Sequence, residues 1–493
     1  MYAEWVKMGA EFFRQNRESS CSYVDKTAFI EEFLYRNDTG ITLITRPRRF
    51  GKTLMMTMLR DFFDIRQDSR SLFEGLAIAK NKALCDKWMN QYPVVFPTFK
   101  DVDGLTFAAA LNRIAWCISD VCIENDFLLD SPAVDPADRE KLQILASMEG
   151  GGKALLSDSL KILCRALHAH WGKPAILLID EYDVPLARAQ EKGYYPEMAG
   201  FIRSLFGAAF KDNEFLQAAI LTGCLKLAKE SVFAGLDSFQ SYGVADARFA
   251  DKYGFTSEEV DALLAAAGCP ERKDAIQEWY DGYCFGDDAK VYCPWDILQY
   301  AADLITSPKA KPKPYWTDTS GNAAVYSFVR RTDFNVQDKI EKLLAGEAVP
   351  CRLAGELSYD ALQSSEESFW TLLFMTGYLT KASSRQMEKC GIHPDKVPGD
   401  SAVLAIPNKE VLEVFADAAS LWFKEAMDRA DRTELFAAFW ADDADGLTRF
   451  LCGQLKDTIS FFDASENYYQ REFFKKRCGV RSTRLLIPNV SYS

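Results

Sequence analysis

The residues best suited to chemistry stand in two short runs and one outlier. The first run is Arg46-Pro-Arg-Arg-Phe-Gly-Lys-Thr53. A loop that holds a triphosphate needs inward-facing backbone N–H groups, a lysine that reaches the β- and γ-oxygens, and a hydroxyl for Mg2+. Gly51, Lys52 and Thr53 fit those tasks. The pattern Gly-x-x-x-x-Gly-Lys-Thr opens on glycine, and Arg46 stands there instead, which a strict pattern would miss. The second run is Asp180-Glu-Tyr-Asp183. Asp180 is expected to hold Mg2+ through water, and Glu181 to orient or deprotonate the attacking water. The outlier is Thr222-Gly-Cys-Leu-Lys226. Thr222 is expected to touch the γ-phosphate or the lytic water. Lys226 neutralises developing charge or is merely solvated. Arg48 and Arg49 are charge clamps, for their own nucleotide or a neighbouring subunit, or ordinary surface residues.

Such groups work only if regular elements bring them together. Residues 41–45, Ile-Thr-Leu-Ile-Thr, read as a buried strand leading into the loop. Leu54 to Phe63 has apolar residues at helical spacing, so the lysine and threonine open a helix, whose N-terminus favours anions. Tyr92–Phe99, 174–179 and 215–222 read as further strands, and 155–169 and 197–210 as helices. Asp180 thus follows one strand end and Thr222 closes another. Strands alternating with helices predict an α/β fold with a mostly parallel sheet. From about residue 250 the texture changes. Thr256-Ser-Glu-Glu259 opens a helix with a capping box, and Pro/Lys-rich 306–314 reads as a loop or linker. Residues 321–460 read as helical with a few strands, among them 378–380 and 403–406.

Composition sets limits. Lys plus Arg number 58 against 71 Asp plus Glu, a net charge of −13, which argues against a surface that coats nucleic acid as a whole. The 13 cysteines include no Cys-x-x-Cys, and three histidines (His168, His170, His393) give zinc little to build on. Reduced thiols in a cytoplasm are the expectation. The start Met1-Tyr-Ala-Glu-Trp carries no signal-peptide pattern, and the longest apolar run, Leu435–Ala441, falls far short of the roughly 20 residues of a membrane span. No membrane contact is expected.

Several runs together carry a resemblance: Tyr23-Val-Asp-Lys-Thr27, Thr45 to Thr53, Asp180 to Asp183, Thr222 to Lys226 with Ala228-Lys-Glu-Ser231, and Tyr280-Asp-Gly-Tyr283. With Tyr315 to Ser320 and Ile406 to Glu410, the set resembles the bacterial AAA-ATPase-like family, from about residue 20 to about 470. Members usually end in a PD-(D/E)XK nuclease domain. The resemblance implies a P-loop ATPase core, a helical lid and adenine specificity, and it makes the Arg-Pro-Arg-Arg form of the loop (Arg46, Pro47, Arg48, Arg49, then Phe50) ordinary. It places Tyr23 and Asp25 near the adenine, although a helix entry capped by Asp25 is the equal alternative. The implied domains are an ATPase core over 1–250, a lid over 251–315, a helical domain over 316–465 and a remnant over 466–493.

Glu466-Asn-Tyr-Tyr469 looks like the opening of the nuclease domain, yet the Asp and Glu-x-Lys that such a nuclease needs do not follow. The expectation is a truncated or frame-shifted chain without nuclease activity, or else a natural basic tail over 470–493 that contacts nucleic acid. The leading functional expectation is a magnesium-dependent ATP-binding protein and slow ATPase that switches conformation. The alternatives are a nucleotide-stabilised binding or scaffold module, and a small-acceptor kinase. The expected cofactors are ATP and Mg2+, and a homo-oligomer is left open.

Overall fold

The computed structural model describes residues 12–19, 23–36, 40–227, 232–236, 239–316, 337–357 and 365–417. Two compact units divide the chain, one of 1–320 with 350–413, the other of 321–349 with 414–493. In the second unit, Gln337–Leu344 is a helix. The runs 228–231, 317–320 and 466–493, and within 321–460 the stretches 321–336, 358–364 and 418–460, lie outside the described residues.

The first unit is built on a five-stranded sheet in the order β2-β3-β4-β1-β5, parallel throughout. Its strands are β1 (Gly40–Thr45), β2 (Val94–Val95), β3 (Ala175–Ile179), β4 (Leu216–Gly223) and β5 (Phe239–Tyr242). All five residues of β3 are buried, as expected of an apolar strand covered on both faces. Ile44, Leu178 and Ile220 share a core with Met55, Met56 and Leu59 of the helix α1 (Lys52–Phe63). The strand expected over Tyr92–Phe99 shrinks to two paired residues. Pro93 and Pro97 lack the N–H that a continuous ladder requires, and β2 accordingly lies at the sheet edge. The expected helices appear as Lys153–Trp171 and Tyr195–Phe210.

The register explains why the chemistry converges. Ile44 pairs with Thr222 and Thr45 with Gly223, while Ile179 pairs with Leu221. Parallel strands all end at the same edge, so the residues after β1, β3 and β4 emerge side by side, where ligands of such sheets bind.

After residue 250 come the helix Ser257–Ala266, with the capping box of Thr256 and Glu259 complete, a hairpin of Tyr283–Phe285 with Ala289–Val291, and α2 (Pro294–Thr306). Thr380–Lys381 pairs antiparallel with Ser401–Ala405. Among the described residues no helix is long and apolar enough to cross a membrane.

Candidate functional site

The chain leaves β1 at Thr45, and the Arg46 N–H donates to the Gly223 carbonyl at 3.1 Å. Two residues of the following turn take left-handed backbone, Arg49 (φ 68°) and Gly51 (φ 84°). Gly51 is the N-cap of α1 and offers no side chain, so the first-turn amides of a 12-residue helix have no capping acceptor. That is a ready anion seat. Arg46 needs no positive φ, which is why arginine can replace glycine there. Its side chain is fully buried and turned away from the loop. It donates to the carbonyls of Thr45 (2.8 Å), Tyr242 (3.2 Å) and Phe249 (2.9 Å), a tie between the ends of β1 and β5.

Lys52 lies at the centre, with 3% of its side chain exposed. Its Nζ donates to the carbonyls of Arg46 and Pro47, each at 3.2 Å, and to Cys224 Sγ at 3.4 Å, and it stands 3.4 Å from Glu181 Oε1. Burial works against its charge, but the groups around it, Cys224, Glu181, Asp183 and Asp180, outweigh burial and raise its pKa. Thr53 Oγ1 donates to Asp180 Oδ2 at 2.8 Å, and Thr222 Oγ1 donates to Asp180 Oδ1 at 2.7 Å. Burial, and next the Glu181 charge, push the Asp180 carboxyl above its ordinary range. Glu181 has positive φ (54°), unusual for a non-glycine residue and a mark of a functional turn.

Two neighbours escaped the sequence reading as site residues. Asp183 is buried and its Oδ2 accepts from the N–H groups of Cys224 (2.9 Å) and Leu225 (2.8 Å). Its Oδ1 has no hydrogen-bond partner among the described residues. Burial, then Glu181, push this carboxyl up to about 6. Tyr182 Oη donates to the Leu225 carbonyl at 2.7 Å. Residues 182 and 183 thus hold the segment after β4. A Cβ on Gly223 would stand 2.5 Å from Asp183 Oδ1, so only glycine permits this approach. Asp183 was visible in the Asp-Glu-Tyr-Asp run, but its partners are two amides that sequence cannot show.

The expected residues therefore divide. Lys52, Thr53, Asp180, Glu181 and Thr222 come together. The Thr222 hydroxyl is engaged by Asp180. Pro47 contributes its carbonyl. Arg48 is exposed and faces Cys224, Glu181 and Asp183. Arg49 turns away, its guanidinium over the Trp295 ring at 4.2 Å. Phe50 is buried edge-on to Tyr283 at 5.1 Å. Lys226 is half-buried, and its carbonyl accepts from Leu357 N–H.

A cleft opens beside Gly51, walled by Tyr23, Val24, Leu54, Met58, Phe255 and Leu298. Lys26 and Lys252 also line it. Tyr23 is among these residues, whereas Asp25 is a turn cap: it accepts from Thr27 N–H, Thr27 Oγ1 and Ala77 N–H at 2.7–2.8 Å. The wall beyond residue 250 was missed, because nothing in the sequence ties Phe255 or Leu298 to Tyr23.

Thr53 Oγ1 and Asp180 Oδ2 are hard oxygen donors side by side, the donor type that Mg2+ takes, next to amides and a lysine suited to phosphate. Among the described residues no group of three or more His, Cys, Asp or Glu side chains could hold a metal ion.

Residues 7–233 match a family model described as predicted AAA-ATPase. A protein from Azotobacter chroococcum mcd 1, described as an uncharacterized protein in the vnfD 5' region, is 26% identical over 450 residues, covering 90% of this chain and 75% of that protein.

Proposed function

We propose that the chain binds ATP with Mg2+ and hydrolyses it slowly, the cycle serving as a conformational switch; the match of residues 7–233 to the predicted AAA-ATPase model supports nucleotide binding. The observation that carries this reading is the hydrogen-bonded series Thr53–Asp180–Thr222 beside the buried Lys52. In it, the first-turn amides of α1 bind the β-phosphate and Lys52 leaves its loop carbonyls for the γ-oxygens. Thr53 and Asp180 hold the cation, which supplies charge neutralisation on the phosphates when bound. Thr222 keeps Asp180 in one rotamer. Glu181 accepts the proton of an attacking water once Lys52 has moved off it. The cleft at Tyr23 takes the base on apolar walls.

The Lys52–Glu181 pair at 3.4 Å supports slow turnover, since the base is engaged before nucleotide arrives. It also favours the second reading, a module that holds nucleotide without turnover. Binding and phosphate release by the purified chain with Mg2+ separate the two. Lys52→Ala should abolish ATP binding. Glu181→Gln should retain ATP while turnover falls about 10²-fold or more, the usual contribution of a general base. Unchanged turnover in both variants rejects the assignment, and background turnover in the wild type with ATP bound selects the second reading. A cytoplasmic setting belongs to the same proposal, supported by free thiols at every described cysteine.

A further inference from the structure

The phosphate loop is anchored on its outer side by a buried group that the mechanism above does not use. Besides stacking on Trp295, Arg49 donates to the Tyr315 carbonyl at 3.2 Å, and its own carbonyl accepts from the Cys293 thiol at 3.8 Å. The N–H groups of Tyr315 and Trp316 both donate to Glu410 Oε1, the latter at 2.6 Å. Glu410 and Asp296 are each 1% exposed, and their carboxyl groups hydrogen-bond to one another. Asp296 follows Trp295 in the first turn of α2. The contacts therefore close a ring: Arg49 to Tyr315, to Glu410, to Asp296, and through Trp295 back to Arg49.

Two buried carboxyl groups bonded to each other need a proton between them, since two anions in contact repel strongly at low dielectric. The groups facing the pair are Arg49, the Cys293 thiol and the phenols of Tyr280, Tyr283 and Tyr315. Burial raises the pKa of the thiol and of all three phenols, so they stay neutral around the pair. Arg49 is the cation that faces it, and burial lowers the Arg49 pKa. Burial first, and then Asp296, push Glu410 up to about 9.

We propose that Glu410 and Asp296 are positioning residues for the phosphate loop, a clamp closed by a shared proton that holds Tyr315–Trp316 against Arg49. The inference rests on the nucleotide reading above and adds a regulatory input to it. Rising pH removes the proton, two like charges face each other, and the loop loses its outer support. Lower pH keeps the clamp closed.

The test is ATP affinity of the full chain with Mg2+ from about pH 7.5 to about pH 9.5, a span that brackets the Glu410 titration. Wild-type affinity should fall about fivefold or more, the lower end of coupling between sites. Glu410→Gln offers the same acceptor to both N–H groups and a permanent donor to Asp296, so its affinity should stay flat over the range. Glu410→Ala should bind weakly at every pH, and glutamine should rescue what alanine loses. Equal pH slopes in wild type and Glu410→Gln overturn the clamp. Should that variant not fold, Asp296→Asn carries the same expectation. Hydrogen exchange at Tyr315 and Trp316, without nucleotide, is the second readout. Exchange that outpaces the ordinary hydroxide-catalysed rise in the wild type supports the clamp, and exchange that merely follows that rise overturns it. If wild type binds no ATP at the lower pH, the nucleotide reading falls, and the exchange readout still decides the clamp.

Discussion

The molecule buries two groups of acids and balances them in opposite ways. Asp180, Glu181 and Asp183 surround the Lys52 ammonium, with Arg48 beside them. Asp296 and Glu410 bond to each other instead. The first group keeps fixed charges of both signs, which is what a site for phosphate and a divalent cation requires. The second holds one shared proton, which leaves a single negative charge on the pair, facing Arg49. Asp180 and Asp183 are as deeply buried as Asp296 and Glu410, so the contrast among these four comes from the counter-charge, not from depth.

Four variants would break or sharpen this contrast. The largest effect belongs to Lys52→Met. It removes the cation and leaves three carboxylates around an apolar side chain, at a cost of about 3–5 kcal/mol of stability. Urea unfolding checks it, and a variant as stable as wild type would mean that the carboxylates there are not charge-balanced by Lys52. Glu410→Ala comes next. It leaves the N–H groups of Tyr315 and Trp316 without their acceptor, and about 1–3 kcal/mol should be lost. Glu410→Gln should unfold close to wild type near neutral pH, because the amide keeps the acceptor for both N–H groups and replaces the shared proton with a permanent donor, while the charge of Asp296 stays. A large loss in that variant would mean that Glu410 carries no proton near neutral pH. Among the changes that remove a partner, Thr222→Val has the smallest effect, about 1.5 kcal/mol for one hydrogen bond to a carboxylate. Its signature is specific: half-saturation with Mg2+ should move to higher concentration, because Asp180 is no longer held in one rotamer. An unchanged Mg2+ titration would return Thr222 to the role of a plain core hydroxyl.

The strand ends were legible in the sequence because each is a local pattern. An apolar run followed by Asp180-Glu181, or by the turn before Gly51-Lys52-Thr53, announces both the element and the polar group it delivers. Roles set by what a side chain meets across the fold were less legible. Arg46 and Asp25 sit in chemically suggestive runs, yet the first ties backbone carbonyls of β1 and β5 and the second caps a turn. Thr222 was legible as a polar group at the end of a strand. Its partner, Asp180, follows from the pairing of β3 with β4.

The sequence by itself determined the α/β alternation, the loop-to-helix junction at Gly51 and the acids after β3. Hydrophobic periodicity and turn chemistry act over a few neighbouring residues, and a linear text records them. Only the tertiary structure decided that Arg49 faces Trp295 and Tyr315, that Phe255 and Leu298 share a cleft with Tyr23, and that Glu410 meets Asp296 across 114 positions of chain. Such contacts depend on the order of strands in the sheet and on where the later helices return. Burial then sets the charge each meeting can carry, and no local pattern encodes that.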